Sequence, residues 1–493
     1  MKVLLISPNI KGFKNGINRV QPPLGLAYLT SYLKDICEVY VKDTAIDGYE
    51  IEIPIDDKMV SIGETDNSIE KYIHEINPDI IGISVLFANL MDGVHSIINI
   101  AKKINKNIIT VVGGNHITNI IYDYKCGIDN TSYIRNNNID YFFIGESELN
   151  FVEFVNKIKS KSSVDEVPGL CVLKEKIKIN PNTKFLDISD IKDPSWEYFN
   201  MEKYFSVGLF HSAQSYSKRV LPVMSSRGCP EKCQFCTTPL TWGSKVRWKN
   251  PNLLYNEIKN SIIKYKIEEI QFQDDTITAN IKNLYQLCDL ISEFKLPWCT
   301  PNGIKINYHQ NNQYEMFLKM KKSGCYQITF ACESGSQSVL DNIIQKNIKV
   351  DTFRDNIKKA KDAGLFVHSF WIVGFPGETK DQMEKTIEIA SLSGADSFSL
   401  SIFNPLPGTP LYHKVIKENL WWDSKKTIDN MTFRNSIIKV DGFKSPEDFE
   451  NFVERNNYYL NNILKSTDKD RYDSVTKNRG VNLRISDKNI KQT

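Results

Sequence analysis

The sequence predicts an α/β protein of two βα domains. The first is a doubly wound, Rossmann-like parallel sheet over residues 1–160. The second is a (βα)6 partial barrel over residues 216–430. A connector spans 161–215, and a small C-terminal helical extension with a polar tail spans 431–493. Three observations predict this layout. A length of 493 residues suits two to four domains. Short β-rich apolar runs alternate with amphipathic stretches twice along the chain, as parallel sheets covered by helices require. A composition of 41% hydrophobic and 25% charged residues supports sizeable buried cores.

In the first series the strand candidates are Lys2–Ser7, Glu38–Lys42, Asp79–Val85, Asn107–Val112 and Asp140–Ile144. Helical periodicity marks Leu24–Leu33, Ile69–Ile76, Gly93–Ile104 and Glu148–Ile158 between and after them. Several strand ends carry small or polar residues: Ser7-Pro8-Asn9, Ser84, Gly113-Gly114-Asn115-His116 and Gly145-Glu146. In such a sheet the ligand crevice lies outside the carboxyl ends of the strands. Glycines there let a large ligand approach the backbone. The segment 161–215 holds Pro168-Gly169, Pro181, Pro194 and Trp196 without sustained periodicity, and is read as a packed connector.

The second series has strand candidates Val220–Ser225, Glu269–Gln273, Trp298–Gly303, Tyr326–Ala331, Phe366–Val373 and Ser397–Phe403. Helical patterns run over Asn252–Tyr265, Ile281–Phe294, Tyr314–Lys322, Gln337–Ile344, Thr352–Ala363 and Lys380–Leu392. Chemistry is expected at the carboxyl ends of barrel strands. One helix is expected near Ser445–Leu464, then a disordered tail from Ser466.

Charge excludes some partners. The 62 Lys+Arg against 59 Asp+Glu leave a net charge of +3, which argues against a nucleic-acid or membrane-surface binder. No apolar run approaches the roughly 20 residues that span a bilayer. Met1–Pro8 is too short and too soon broken by proline for a secretory signal, so a cytoplasmic location is expected.

Ten cysteines are unremarkable in number, but three sit together as Cys229-x3-Cys233-x2-Cys236, directly after the first barrel strand. In a reducing compartment such a cluster points to metal or redox chemistry. A structural zinc site needs four protein ligands, and no Cys or His follows Cys236 within twenty residues. The zinc alternative therefore needs a distant fourth ligand. A 4Fe–4S cluster is normally held by four thiolates, and three would leave one iron open to an exogenous ligand.

This spacing, with Phe235 before the last cysteine, resembles the radical S-adenosylmethionine (SAM) superfamily. The resemblance implies that Cys229, Cys233 and Cys236 ligate a 4Fe–4S cluster whose open iron is chelated by SAM, with Phe235 near the adenine. It implies SAM contacts for Glu333, at the end of the fourth strand, and for Gly374 in Gly374-Phe375-Pro376-Gly377-Glu378, at the end of the fifth. The plainer readings are a helix N-terminal carboxylate and an ordinary Gly/Pro turn. Gln273-Asp274-Asp275 stands where many relatives carry Gly-Gly-Glu. Asp275 is a candidate for SAM or substrate, with helix capping as the alternative.

A Rossmann-like domain ahead of such a barrel resembles the cobalamin-binding class. The matching stretches are Pro22–Leu26, Asp79–Ser84, Val112–His116 and Ile144–Glu148, so Ser84, Gly113, Gly114, Gly145 and Glu146 become candidate cobalamin contacts. There is no D-x-H-x-x-G, which implies cobalamin without that histidine ligand. His95 and His116 are read as packing or hydrogen-bonding residues, not metal ligands. The glycines form no G-x-G-x-x-G after the first strand, which counts against a nicotinamide cofactor.

Phe199–Phe205, Phe235–Thr238 with Trp242-Gly243, Gln273–Thr278, Leu296–Trp298 and Tyr326–Ala331 resemble the phosphonate C-methyltransferases of fosfomycin biosynthesis. That resemblance implies methylation of an unactivated sp3 carbon of a small molecule. One SAM would donate the methyl group by way of cobalamin, and a second would give the 5′-deoxyadenosyl radical. It also suggests a cytidylylated 2-hydroxyethylphosphonate as substrate and an electron donor such as flavodoxin or ferredoxin. Lys245, Arg247 and Lys249 are candidate partners for a nucleotide-linked anion, or simply a solvated basic loop. The rival functions are a non-methylating cobalamin radical SAM enzyme such as an anaerobic cyclase, and a non-enzymatic corrinoid sensor.

Overall fold

The computed structural model describes residues 1–467 except 15, 17, 175–176, 183–184, 209, 213–214, 424–427, 429–430 and 433. From residue 468 the expected tail lies outside the described residues. The chain divides into two units, one of residues 1–209, 237–243 and 428–430, the other of 210–236, 244–427 and 431–493.

The first unit is built on a seven-stranded sheet. Its first strand, Lys2–Ser7, buries Val3 through Ile6 on both faces, the pattern of a central strand covered by helices. Five strands run parallel, in the spatial order Glu38–Asp43, Lys2–Ser7, Ile80–Ser84, Ile109–Gly113, Tyr141–Phe143. That is the flavodoxin-like order 2-1-3-4-5. It reverses between Lys2–Ser7 and Ile80–Ser84, and sheets of this order bind ligands at the carboxyl ends flanking such a reversal.

Helices Leu24–Leu33, Asp66–Ile76, Met91–Ile104 and Glu148–Lys159 fall where periodicity placed them. A further helix, Asn115–Lys125, follows Gly114. It was not expected, because seven of its residues are buried, including His116, Thr118, Asn119 and Asp123, so no apolar stripe marks it. The segment read as a connector contributes an antiparallel hairpin, Leu170–Leu173 with Ile177–Ile179, beside Tyr141–Phe143. A small antiparallel sheet of Ile10–Phe13, Met59–Ile62 and Glu52–Pro54 also escaped the sequence reading. Its strands are only three or four residues long, and Glu52–Pro54 is wholly exposed.

In the second unit six parallel strands pair in chain order: Val220–Val223, Glu269–Phe272, Trp298–Cys299, Cys325–Glu333, Phe366–Val373 and Ser397–Ile402. Among the described residues the first and last do not pair, so the barrel is partial. The outer face of the strands carries the aromatic core. Phe330 meets Phe317 of helix Gln313–Lys322 at 5.9 Å, and Trp371 meets Phe353 of helix Phe353–Asp362 at 5.9 Å. The third strand is shorter than expected, because Pro301, Asn302 and Gly303 interrupt it before Ile304 rejoins Phe330 in an isolated bridge.

An open barrel leaves an edge strand whose backbone needs partners. Helix Pro446–Thr467 supplies them through side chains. Asn461 accepts from the Phe398 amide at 3.1 Å, and Asn457 accepts from the Leu400 amide at 3.0 Å. Among the described residues no helix is long and apolar enough to cross a membrane.

Candidate cluster and cofactor sites

The loop carrying the three cysteines leaves the first barrel strand through Ser225 and Ser226. Ser226-Arg227 pairs with Arg247-Trp248 and closes the loop at its base. The fully buried Asp274, just past the second strand, takes hydrogen bonds from the Ser225 amide (3.0 Å), the Ser225 hydroxyl (2.6 Å) and the Ser226 hydroxyl (2.5 Å). Glu231, between the first two cysteines, accepts from Lys305 Nζ and Tyr308 Oη, each at 2.8 Å. Gln234, between the last two, donates its amide to the Ile344 carbonyl (2.9 Å), and its carbonyl accepts from the Leu411 amide (3.1 Å). The loop is therefore fixed from several separate segments of the barrel at once.

None of the three cysteines is in a disulfide, and all are half-buried. Burial pushes Cys229 up to about 11 and Cys233 up to about 12, and the charges of the neighbouring cysteines add to both shifts. Three such thiols would repel as bare thiolates, so a cationic body between them is the natural counterpart. A cubane cluster takes thiolates around its body, and three cysteines on one anchored loop fit it.

The other barrel candidates gather around this loop. The Phe235 ring lies 5.8 Å from Phe375, which in turn lies 5.0 Å from Phe403. Phe375 belongs to the turn Gly374–Glu378, held by Glu378, whose carboxylate accepts from the Gly374 (2.7 Å) and Phe375 (3.0 Å) amides. Burial pushes Glu378 up to about 8 against these two donors. Gly374 has φ +86°, and a Cβ there would lie 2.6 Å from the Phe449 ring, so the fold requires this glycine whatever else it touches. Asp275 stands close enough to raise Cys229 by its charge. Its neighbour Asp274 is the loop anchor. Glu333 ends its strand in the left-handed conformation (φ +64°) beyond a register shift, buried and paired with Lys346 at 2.8 Å. The suggested anion partner Lys249 does not present a free charge, because its ammonium is buried against Glu257.

In the first unit Ser84, Gly113 and Gly145 lie at or just past the carboxyl ends of three adjacent strands. Gly114 has φ +113°, and its Cβ would lie 2.4 Å from the Val85 carbonyl oxygen, so only glycine allows this crossing. Gly145 (φ +67°) donates its amide to Thr118 Oγ1 at 2.9 Å. The Glu146 carboxylate is engaged by the Leu186 amide at 2.7 Å; it fastens the segment after the hairpin. The segments that follow the carboxyl ends of Lys2–Ser7, Ile80–Ser84 and Ile109–Gly113, helix Asn115–Lys125 among them, carry buried polar atoms without protein partners: Asn9 Oδ1, Asn89 Oδ1, His116 Nε2 and Asn119 Oδ1. Beside them Leu86 and Phe87 are half-exposed. Buried polar groups require partners. An apolar ring system fringed with amides, as a corrin is, matches this mixture. Burial lowers His116 to about 4, so its ring is neutral.

Sequence reasoning missed Glu231, Lys305, Tyr308 and Lys346 as parts of the site. Glu231 had a signal, its place inside the cysteine motif. The others come from distant segments that only the fold brings to the loop.

An open parallel barrel with an anchored three-thiol loop at its carboxyl end, preceded in the chain by a flavodoxin-like unit with glycines and buried polar atoms at its strand ends, defines a class. Residues 223–390 match the model of the radical SAM superfamily, and residues 15–155 match that of the B12 binding domain. The chain is 30% identical over 492 residues to cytidylyl-2-hydroxyethylphosphonate methyltransferase of Streptomyces wedmorensis, covering 93% of this chain and 90% of that one. It is also 30% identical to an uncharacterised methyltransferase of Pyrococcus horikoshii, covering 91% and 90%. Among solved structures, the cobalamin-dependent SAM radical enzyme OxsB with aqua-cobalamin and SAM bound shares the fold, with a TM-score of 0.68 at 16% identity over 98% of this chain and 71% of that one. The chain belongs to the cobalamin-dependent radical SAM methyltransferases, whose cofactors are a 4Fe–4S cluster, SAM and cobalamin.

Proposed function

We propose that the chain methylates an unactivated sp3 carbon of a small, nucleotide-linked phosphonate, with cytidylylated 2-hydroxyethylphosphonate as the leading substrate. The observation that carries this reading is the 30% identity to the Streptomyces wedmorensis enzyme, which extends over 93% of the chain and so takes in both units. When bound, the cluster and one SAM supply a radical initiator, and cobalamin carries the methyl group of a second.

The chain's own residues supply position. Cys229, Cys233 and Cys236 hold the cluster on a loop pinned by Asp274, Glu231 and Gln234. Phe235, packed against Phe375, and the turn that begins at Gly374 offer an apolar wall for the adenine. Glu333 and Asp275 are the carboxylates that would meet the polar end of SAM. Ser84, Gly113, Gly114 and Gly145 form the carboxyl edge that would hold cobalamin. Glu146 keeps this edge in shape, its carboxylate accepting from the Leu186 amide and its carbonyl from Asn182 Nδ2. A low-potential donor such as flavodoxin or ferredoxin delivers the electron.

The test is anaerobic incubation of the reconstituted protein with SAM, cobalamin, a reductant and the candidate substrate, followed by mass spectrometry. The expected result is a product heavier by one CH2, with S-adenosylhomocysteine and 5′-deoxyadenosine formed in comparable amounts. 5′-Deoxyadenosine without S-adenosylhomocysteine would overturn methyl transfer. Methylation of other acceptors but not this one would overturn the substrate.

A further inference from the structure

Lys346 is a buried cation that the sequence does not mark as functional. The residue is 5% exposed, and its ammonium donates to Glu333 Oε1 and to the Ala331 carbonyl, each at 2.8 Å. Burial works against its charge, yet Glu333 and Cys233 together hold it above its ordinary value. The same turn grips the cluster loop. The chain from Gln337 starts as an α-helix and widens at Leu340–Ile344 into a π-turn, a feature that concentrates at functional sites. The Lys346 amide closes this turn on the Leu340 carbonyl at 3.0 Å, and the Ile344 carbonyl receives the Gln234 amide. One short segment therefore ties the backbone between Cys233 and Cys236 and sets a positive charge against Cys233.

We infer that Lys346 is a positioning residue with an electrostatic role, holding Glu333 in place and raising the reduction potential of the cluster through Cys233. Reduction moves one electron from an external low-potential donor, which is oxidised, to the cluster, which gains one negative charge. A fixed cation at a ligand stabilises that reduced form in a low-dielectric surrounding. Without Lys346 the buried Glu333 carboxylate stands alone beside the cluster and opposes reduction. Lys346 thus sets one fixed positive charge against the Glu333 carboxylate, so that the pair does not oppose reduction.

This inference rests on the cysteines carrying the cluster, and the two fail differently. If the wild-type protein reconstituted with iron and sulfide shows no 4Fe–4S absorbance, the cluster reading falls. With the cluster present, the measurement is its midpoint potential by EPR-monitored potentiometry with dithionite and mediators, without substrate. Lys346→Met should shift the midpoint to more negative potential, and Lys346→Arg should stay near wild type. If Lys346→Met loses its cluster because Glu333 is left unpaired, the comparison moves to a neutral background. There Glu333→Gln with Lys346 retained should have a higher midpoint than the Glu333→Gln/Lys346→Met double variant. Equal midpoints in either comparison, with iron content unchanged, would overturn the inference.

Discussion

The Ser226 hydroxyl donates to Asp274 across 2.5 Å, and Asp274 also receives the Ser225 amide and hydroxyl. One buried carboxylate thus binds the root of the cysteine loop to the end of the neighbouring strand. Removing it strands three donors in a site that water does not reach. Asp274→Ala should cost about 3 kcal/mol or more, the scale of several buried unpaired groups. Asp274→Asn, which keeps one acceptor oxygen, should cost less. Urea denaturation measures the first effect. Iron per chain after anaerobic reconstitution should fall in the same order.

Cys229→Ala, Cys233→Ala and Cys236→Ala should each abolish the 4Fe–4S absorbance. The exposed Cys126 serves as the control, and Cys126→Ala should leave the spectrum unchanged. Removing iron from the wild-type protein with a chelator should stop 5′-deoxyadenosine formation. Anaerobic absorbance spectra and iron analysis decide the point.

Two glycines of the first unit separate conformational strain from close approach. Gly127 has φ +86° with nothing within 4 Å of a Cβ, whereas the Cβ of Gly114 would sit 2.4 Å from the Val85 carbonyl oxygen. Gly127→Ala should cost about 1–2 kcal/mol, the strain of a left-handed conformation alone. Gly114→Ala must also displace backbone, and should cost about 3 kcal/mol or more and weaken cobalamin retention. Thermal melts of the two variants and cobalamin bound per chain after desalting test the contrast.

Asp43, at the end of its strand, is fully buried and pushed up to about 6 by that burial, although the Tyr204 hydroxyl (2.5 Å) and two helix amides donate to it. An unfolded aspartate releases its proton near 3.9, so between about 4 and 6 the folded chain binds the extra proton. Stability therefore declines as pH rises through that window, by about 3 kcal/mol in all. Asp43→Asn should flatten this segment of the pH–stability curve, measured by denaturant midpoints at closely spaced pH values. An unchanged slope would show that burial does not govern this carboxyl.

The two βα series were legible because their strands are short apolar runs. Lys2–Ser7 and Phe366–Val373 have the same bounds in sequence and structure. Helix Asn115–Lys125 was not legible, since its buried face carries His116, Asn119 and Asp123 and hydrophobic periodicity cannot register polar residues that are buried. The hairpin Leu170–Ile179 escaped for a different reason: its pairing depends on a sheet edge already built by Tyr141–Phe143.

By itself, the sequence determined the cysteine spacing, the order of elements and hence the class of protein, because covalent spacing and periodicity are local quantities. Only the tertiary structure decided which charges serve the site. It buried Lys249 against Glu257, turned Asp274 and Glu231 into anchors of the loop, and brought Lys346 to Glu333 and Cys233. Electrostatic partnership depends on distance and burial in space, and no local pattern of residues encodes either.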